Sequence, residues 1–223
     1  MAILKLTIPQ KGLISPSTWG SKEAIKGQLL TTWEKFNSFF RFSAKESGIP
    51  VEILLAFCVV ESGGNPLAGT GANKGLFQFN HNYVKSQLKD EFTSGRLTEN
   101  EKSKLAQYGF NFDSAGNTRE FTSFDAVKPE LNILIGAILL GQLIDQDFSQ
   151  KNGDTRMDII IVVYNSGYYS KWSKIAMKSK SINAKQLHDE LSGNNTTQSY
   201  IRKMMGVGGA LDIATSDLAS IVR

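Results

Sequence analysis

The chain has 223 residues, 41% hydrophobic and 21% charged, the balance of an ordinary soluble globular protein with room for one sizeable domain or a domain with an extension. No apolar run is long enough to cross a bilayer: the best, LNILIGAILLGQLI at 131 to 144, falls short of the roughly 20 residues required. The net charge of +4 and pI of about 9.0 come from lysines that read as scattered, with no arginine-rich helix, so the composition describes a solvated face rather than a nucleic-acid interface.

MAILKLTIPQ opens the chain. Lys5 interrupts its apolar part and it lacks a small-residue cleavage site, so no secretory signal is expected. Residues 1 to 16 read as extended or loose. From Ser17 to Ser47 the spacing turns helical: Leu29, Leu30, Trp33, Phe36, Phe39 and Phe40 recur every three or four residues as an apolar stripe. Gly48 breaks it. Pro50 suits the first turn of a second helix, to about Glu61, which is apolar on nearly every side and therefore central. Its Cys58 is the only cysteine, which excludes an internal disulfide and predicts a buried, inert thiol.

Residues 62 to 80 hold five glycines and a proline and read as loop. Residues 81 to 126 are polar, with two short helix candidates; one starts near Thr98, where Thr98 and Glu101 have the spacing of a capping box. Pro129 opens a strongly apolar helix to about Asp147. TRMDIIIVVYN (155 to 165) is a third apolar element, capped by Asp154 if helical and ended by Gly167, although its β-branched residues also allow a strand. Short helices are expected near 183 to 191 and 196 to 205, with Gly206 in the stop position. The whole reads as mainly α around one core.

The first chemical signal is VVESGGNP, residues 59 to 66. An apolar run ends on a carboxylate, Glu61, in the last turn of its helix. Unpaired carbonyls at the helix end and poor hydration among apolar neighbours both disfavour the ionised form, so a raised pKa suited to a general acid is expected. Alone, the segment also fits a solvated helix end.

GLFQF (75 to 79), PELNILIGAILL (129 to 140), VVYNSG (162 to 167) and TTQSYIRKMM (196 to 205) follow in that order. With ESGGNP they resemble the signature of the soluble lytic transglycosylase family: E-S-x-x-N-P, G-L-M-Q, N-I-x-x-G, A-Y-N-A-G and E-T-x-x-Y-V. The resemblance spans residues 48 to 205, about two-thirds of the chain. It implies a lysozyme-like, goose-type helical domain over 46 to 206 with a small irregular or β-containing loop region. A partly helical N-terminal extension (1 to 45) would precede it, and a C-terminal tail (207 to 223) would follow. The implied partner is a peptidoglycan glycan strand, cut between MurNAc and GlcNAc without cofactor or metal.

Residue by residue, the resemblance implies that Glu61 is the catalytic acid and base. Ser62 would line the site, Gln78 would hydrogen-bond the glycan with Phe79 beside it, and Gly75 would let the backbone pass close to the sugar. Tyr164 would contact the glutamate through its hydroxyl, Asn165 would hold the turn, and Tyr200 would pack or form cleft wall. Phe77 stands where the family has methionine, and Val162, Val163 and Ser166 replace small alanines. Residues 85 to 126 look like an insertion near the cleft.

Most glycosidases use two carboxylates. Between Ser62 and Lys89 there is no aspartate or glutamate. The absence favours a single-carboxylate route in which Glu61 serves twice and the product ends in 1,6-anhydroMurNAc. Asp90, Glu91, Asp113, Glu120 or Asp125 of the insertion could instead supply a second acid, giving a muramidase. A glycan-binding, non-catalytic part of a virion or secretion machine is the alternative of another class. The missing signal fits a bacteriophage-encoded protein, virion-associated or delivered to the periplasm by phage or secretion machinery.

His81 and His188 are far apart and lack metal-site spacing. Ser62 has no histidine base in view. Trp172, Tyr168 and Tyr169, beyond the YNSG turn, are the aromatic candidates for sugar contact.

Overall fold

Helix α1, Lys22–Ser47, carries the predicted stripe: Leu29, Trp33 and Phe40 are buried, and the helix is interrupted at Phe36, whose φ/ψ of −130°/15° is non-helical. The structure, a computed structural model, describes residue 14 and residues 19–146, 150–151 and 154–222. The expectation for residues 1 to 16 therefore lies outside the described residues except at Ile14, which is buried and accepts a hydrogen bond from the Val207 amide at 3.4 Å.

The other elements are α2 (Val51–Ser62), α3 (Val84–Thr93), α4 (Glu99–Gln107), α5 (Ser123–Ala126) and α6 (Pro129–Ile144), then the two-residue strands β1 (Gln150–Lys151) and β2 (Asp154–Thr155), paired antiparallel. There follow α7 (Met157–Ser166), α8 (Lys171–Lys178), α9 (Ala184–Glu190), α10 (Asn195–Met205), α11 (Ala210–Ser216) and α12 (Ala219–Val222). The protein is mainly α. Among the described residues no helix is long and apolar enough to cross a membrane. The chain forms two compact units, Thr31–Leu139 and Met1–Leu30 with Leu140–Arg223.

The core of the Thr31–Leu139 unit is built on α2, where Ile53 to Val59 are all at most 2% exposed. Such all-round burial explains why α2 is apolar on every face. Burial pushes the Cys58 thiol up, far from the thiolate form, so the expected inert thiol is what the fold contains. The end of α1 is tied to the start of α4 through buried Glu46, which accepts from Thr98 Oγ1 at 2.9 Å and Asn100 Nδ2 at 3.0 Å. The predicted capping box is complete. Thr98 Oγ1 accepts from the Glu101 amide at 3.1 Å, and Glu101 accepts from the Thr98 amide at 2.8 Å.

In the other unit α7 is central and packs against α8, α9 and α10. Met157 to Val163 are at most 1% exposed, so the β-branched run is a helix, not a strand. Asp154, the expected cap, belongs to β2, and the cap position falls to Arg156, whose side chain makes no capping hydrogen bond. Arg156 forms a buried two-point ion pair with Asp158 at 2.8 and 2.6 Å and donates to the Ser181 carbonyl at 2.6 Å. Residues 207 to 223, expected as a tail, carry α11 and α12, with Leu211 and Ile213 fully buried.

Candidate active site

Glu61 sits in the last turn of α2, half-buried. Gly63 ends the helix in the left-handed conformation (φ 63°) and donates to the Val59 carbonyl at 2.8 Å. Ser62 completes the stop: its hydroxyl donates to the Cys58 carbonyl at 2.8 Å and accepts from the Gly64 amide at 3.2 Å. Ser62 is thus a positioning residue for the chain leaving the helix. Gly64 (φ 78°) lies so close to buried Thr32 of α1 that a Cβ would come within 2.0 Å of its Oγ1. Only glycine allows that exit. The carboxylate is therefore carried by a rigid helix and held at a fixed turn.

The loop that follows folds back on itself. Asn73 and Asn80 form an antiparallel bridge, the Gly75 amide donates to the Ala68 carbonyl at 3.0 Å, and His81 meets the Ala72 carbonyl through its amide at 3.0 Å and Nδ1 at 2.6 Å. His81 thereby has a structural task. The GLFQF segment is then clasped by α6. Fully buried Asn132 accepts from the Phe77 amide at 2.9 Å and donates to the Ala126 carbonyl at 2.7 Å and the Lys74 carbonyl at 3.4 Å. One turn on, Gly136 leaves room for the Phe77 ring; a Cβ there would lie 2.4 Å from it. Asn132 and Gly136 are the fixed letters of N-I-x-x-G. Two motifs 55 residues apart are thus one structural feature.

Gly75 (φ 84°) makes a close approach, but to this clasp: an added Cβ would meet the Ala126 carbonyl at 2.1 Å and Asn132 Nδ2 at 2.2 Å. The glycine thus has a packing reason inside the unit. Phe79 is 8% exposed and packs edge-on against Phe121 at 5.8 Å, an apolar contact rather than an open platform. Gln78 is half-buried and, among the described residues, is the only non-glycine with positive φ (49°). Its Nε2 donates to the Gly75 carbonyl at 2.7 Å, and its amide lies against Gly69, where a Cβ would be 2.4 Å from Oε1. A strained backbone at a candidate site residue is the kind of feature a fold keeps for positioning.

The five carboxylates offered as a second acid lie in the same unit. Glu91 is buried and gripped by Arg96 through Nε at 3.0 and 2.9 Å. Asp113 holds a turn by accepting from the Ala115 and Asn117 amides at 2.9 and 2.8 Å. Glu120 takes Lys85 at 2.6 Å. Asp125 accepts from Arg119 at 2.8 and 2.9 Å, Lys128 at 3.0 Å and the Thr122 amide at 3.0 Å. Asp90 is exposed on α3. Glu91, Asp113 and Asp125 are engaged in holding their own segments, whereas Glu120 makes a surface ion pair with Lys85.

Burial alone raises the Asp125 carboxyl, but the hydrogen bonds from Arg119, Lys128 and Thr122 outweigh it and hold the group well below the usual carboxylate range. A folded pKa below the unfolded one gives stability that is present above about pH 4 and fades as pH falls towards the folded value. The melting-temperature gap between wild type and Asp125→Asn should therefore narrow between about pH 6 and about pH 3. A gap that stays constant across that range removes the charge of Asp125 from the account.

Tyr164 and Asn165 stand half-buried in the last turn of α7, in the other unit. The expected turn-holding by Asn165 falls to serines. Ser173 Oγ donates to the Gly167 carbonyl at 2.7 Å, and Ser166 and Ser170 hydroxyls lie 2.9 and 3.1 Å from it. Ser166, a departure from the family pattern, is thus part of the lock. Tyr200 on α10 is buried, a packing role. Tyr168 and Tyr169 are exposed and packed edge to face at 5.1 Å, and Trp172 is half-buried. Among the described residues no three histidine, cysteine or acidic side chains converge as a metal centre.

Glu61, Ser62, Gly75, Gln78 and Phe79 thus belong to one unit, and Tyr164 and Asn165 to the other. The clasp residues Asn132 and Gly136 received no role from sequence, although the N-I-x-x-G pattern was the signal. No protein-family model matches the chain, and no curated protein matches it.

Proposed function

We propose that the chain is a peptidoglycan lytic transglycosylase built on a lysozyme-like helical domain, with Glu61 as its single general acid and base. The observation that carries the reading is the clasp: Asn132 and Gly136 hold GLFQF, the segment that follows Glu61 and its glycine-rich exit. Motifs taken from the family resemblance are therefore physically joined around the candidate acid's own loop. The occupation of Glu91, Asp113 and Asp125 by structural partners supports one carboxylate over two.

In the proposed reaction Glu61 gives its proton to the glycosidic oxygen as the bond to the MurNAc anomeric carbon breaks. The resulting carboxylate takes the proton from the 6-hydroxyl of that MurNAc, and O6 closes on the anomeric carbon. Atoms balance without water, and the nucleophile gains the advantage of being intramolecular. Mass spectrometry of fragments released from purified sacculi tests this. Products ending in 1,6-anhydroMurNAc are expected. Reducing ends mean hydrolysis by a second acid; a bound glycan with no fragments means a binding module.

The resemblance also assigns Tyr164 to the reaction. Tyr164→Phe keeps the ring and removes the hydroxyl, so turnover should fall about tenfold or more while the melting temperature barely moves. An unchanged rate takes the hydroxyl out of the chemistry.

A further inference from the structure

The positive charge of this chain is not spread. Residues 168 to 182 hold four lysines and no acid, which accounts for the whole excess of 25 basic over 21 acidic residues; the rest of the chain is neutral overall. The sequence reading of scattered lysines misses this because α8 places three of them on one face. Lys171, Lys174 and Lys178 follow at three- and four-residue spacing, and Lys180 lies just past the helix end. With Ile175 and Glu190 they line an open hollow of about 740 Å³. All four lysines are exposed, and among the described residues none of the four is in an ion pair. Glu190, the one acid at the hollow, accepts from Ser179 Oγ at 2.6 Å. Like charges at such spacing weaken a helix. Their concentration in one concavity focuses a positive potential that a bound anion relieves.

We propose that this hollow binds the carboxylates of the peptide stems on a peptidoglycan strand, an inference that rests on the glycan reading above. Three features select that chemistry. The hollow offers lysines and no arginine, hence separate point charges on flexible stems, which suit several anions arriving on separate flexible chains better than one anion held in a fixed planar fork. Ile175 is part of its lining, an apolar surface among the long lysine side chains that suits short aliphatic side chains. The exposed Tyr168–Tyr169 pair stands directly before α8, and Lys171 Nζ lies 5.0 Å from the Trp172 ring centre, so aromatic surface for sugar adjoins the charges.

The test is a binding assay in the Glu61→Gln background, so that nothing is cut. Sacculi free of teichoic acid are compared with glycan strands stripped of peptide by an amidase. Lys174→Glu/Lys178→Glu should weaken binding to intact sacculi about tenfold or more and leave binding to stripped strands unchanged, whereas Lys174→Arg/Lys178→Arg should bind as the parent does. A melting curve of each variant checks that it is folded. The inference is overturned if the double-Glu variant pellets like the parent, if it loses stripped strands equally, or if the parent prefers a single-stranded oligonucleotide or a polyphosphate to sacculi. Failure of the functional reading is visible separately, as cutting-competent protein that yields no anhydro ends.

Discussion

Glu61→Gln should abolish fragment release from sacculi while leaving the protein folded. Glutamine keeps the shape and the hydrogen-bonding capacity of the side chain but cannot pass a proton. General acid–base catalysis is worth about 10²–10⁴ in rate, and here one group does both jobs, so at least about a hundredfold loss is expected. Stability should change by no more than about 0.5 kcal/mol, since Glu61 is half-buried at a helix end whose stop is made by other groups. Those groups are Ser62 and Gly63, through hydrogen bonds of 2.8 Å to the Cys58 and Val59 carbonyls. The readout is the mass spectrum of released fragments beside a melting curve. Residual activity above about a tenth of wild type removes Glu61 from the acid role, because a missing proton donor costs more than that.

The main elements were legible because their signals are local. The stripe in α1, the all-round apolar α2 and the capping box at Thr98 each follow from periodicity or from spacing across one turn. The segment 155 to 165, read as a helix with a strand as the alternative, is a helix: Met157 to Val163 are buried all round, and packing overrides the β propensity of the run. The misses have physical causes. Asp154 looked like a cap, but the β1–β2 pairing draws it into a strand and leaves α7 to begin at Met157. Helices α8, α11 and α12 are short, so their periodicity is too brief to stand out.

The candidate site was legible as a set of letters, not as jobs. Sequence placed Ser62, Gly75 and Phe79 against a sugar. The structure gives Ser62 to the end of α2, Gly75 to Asn132 and Ala126, and Phe79 to Phe121. A glycine needed for close approach looks the same in a sequence whether the neighbour is a ligand or a backbone carbonyl. Likewise the acids of the insertion carried no sign of their partners, because Arg119 with Asp125 and Lys85 with Glu120 are recognisable only once the chain is folded. The positive φ of Gln78 has no sequence signal, and it follows directly on the Phe77 amide that the clasp anchors.

That clasp is where the second large effect should be found. Asn132→Leu keeps the branched shape of a fully buried side chain, with bulkier methyl ends, but withdraws the acceptor of the Phe77 amide and the donor to the Ala126 and Lys74 carbonyls. Each buried polar group that loses its partner costs about 1–3 kcal/mol, so a loss of about 2–5 kcal/mol is expected, a large share of the stability of an ordinary domain. Gly136→Ala strikes the same segment from the other side, since the new methyl must displace the Phe77 ring; overpacking of this kind costs about 1–3 kcal/mol. Once Asn132 no longer fixes the Phe77 backbone, the ring is freer to move away from residue 136. The two losses should therefore sum to more than the double variant shows. Fragment release measured well below the melting temperature should also fall, because Phe77 and Gln78 are adjacent and the strained φ of Gln78 depends on the anchored backbone. A single variant that melts within about 1 kcal/mol of wild type, or a double variant whose losses simply add, would separate GLFQF from α6 and take away the physical joint on which the functional reading stands.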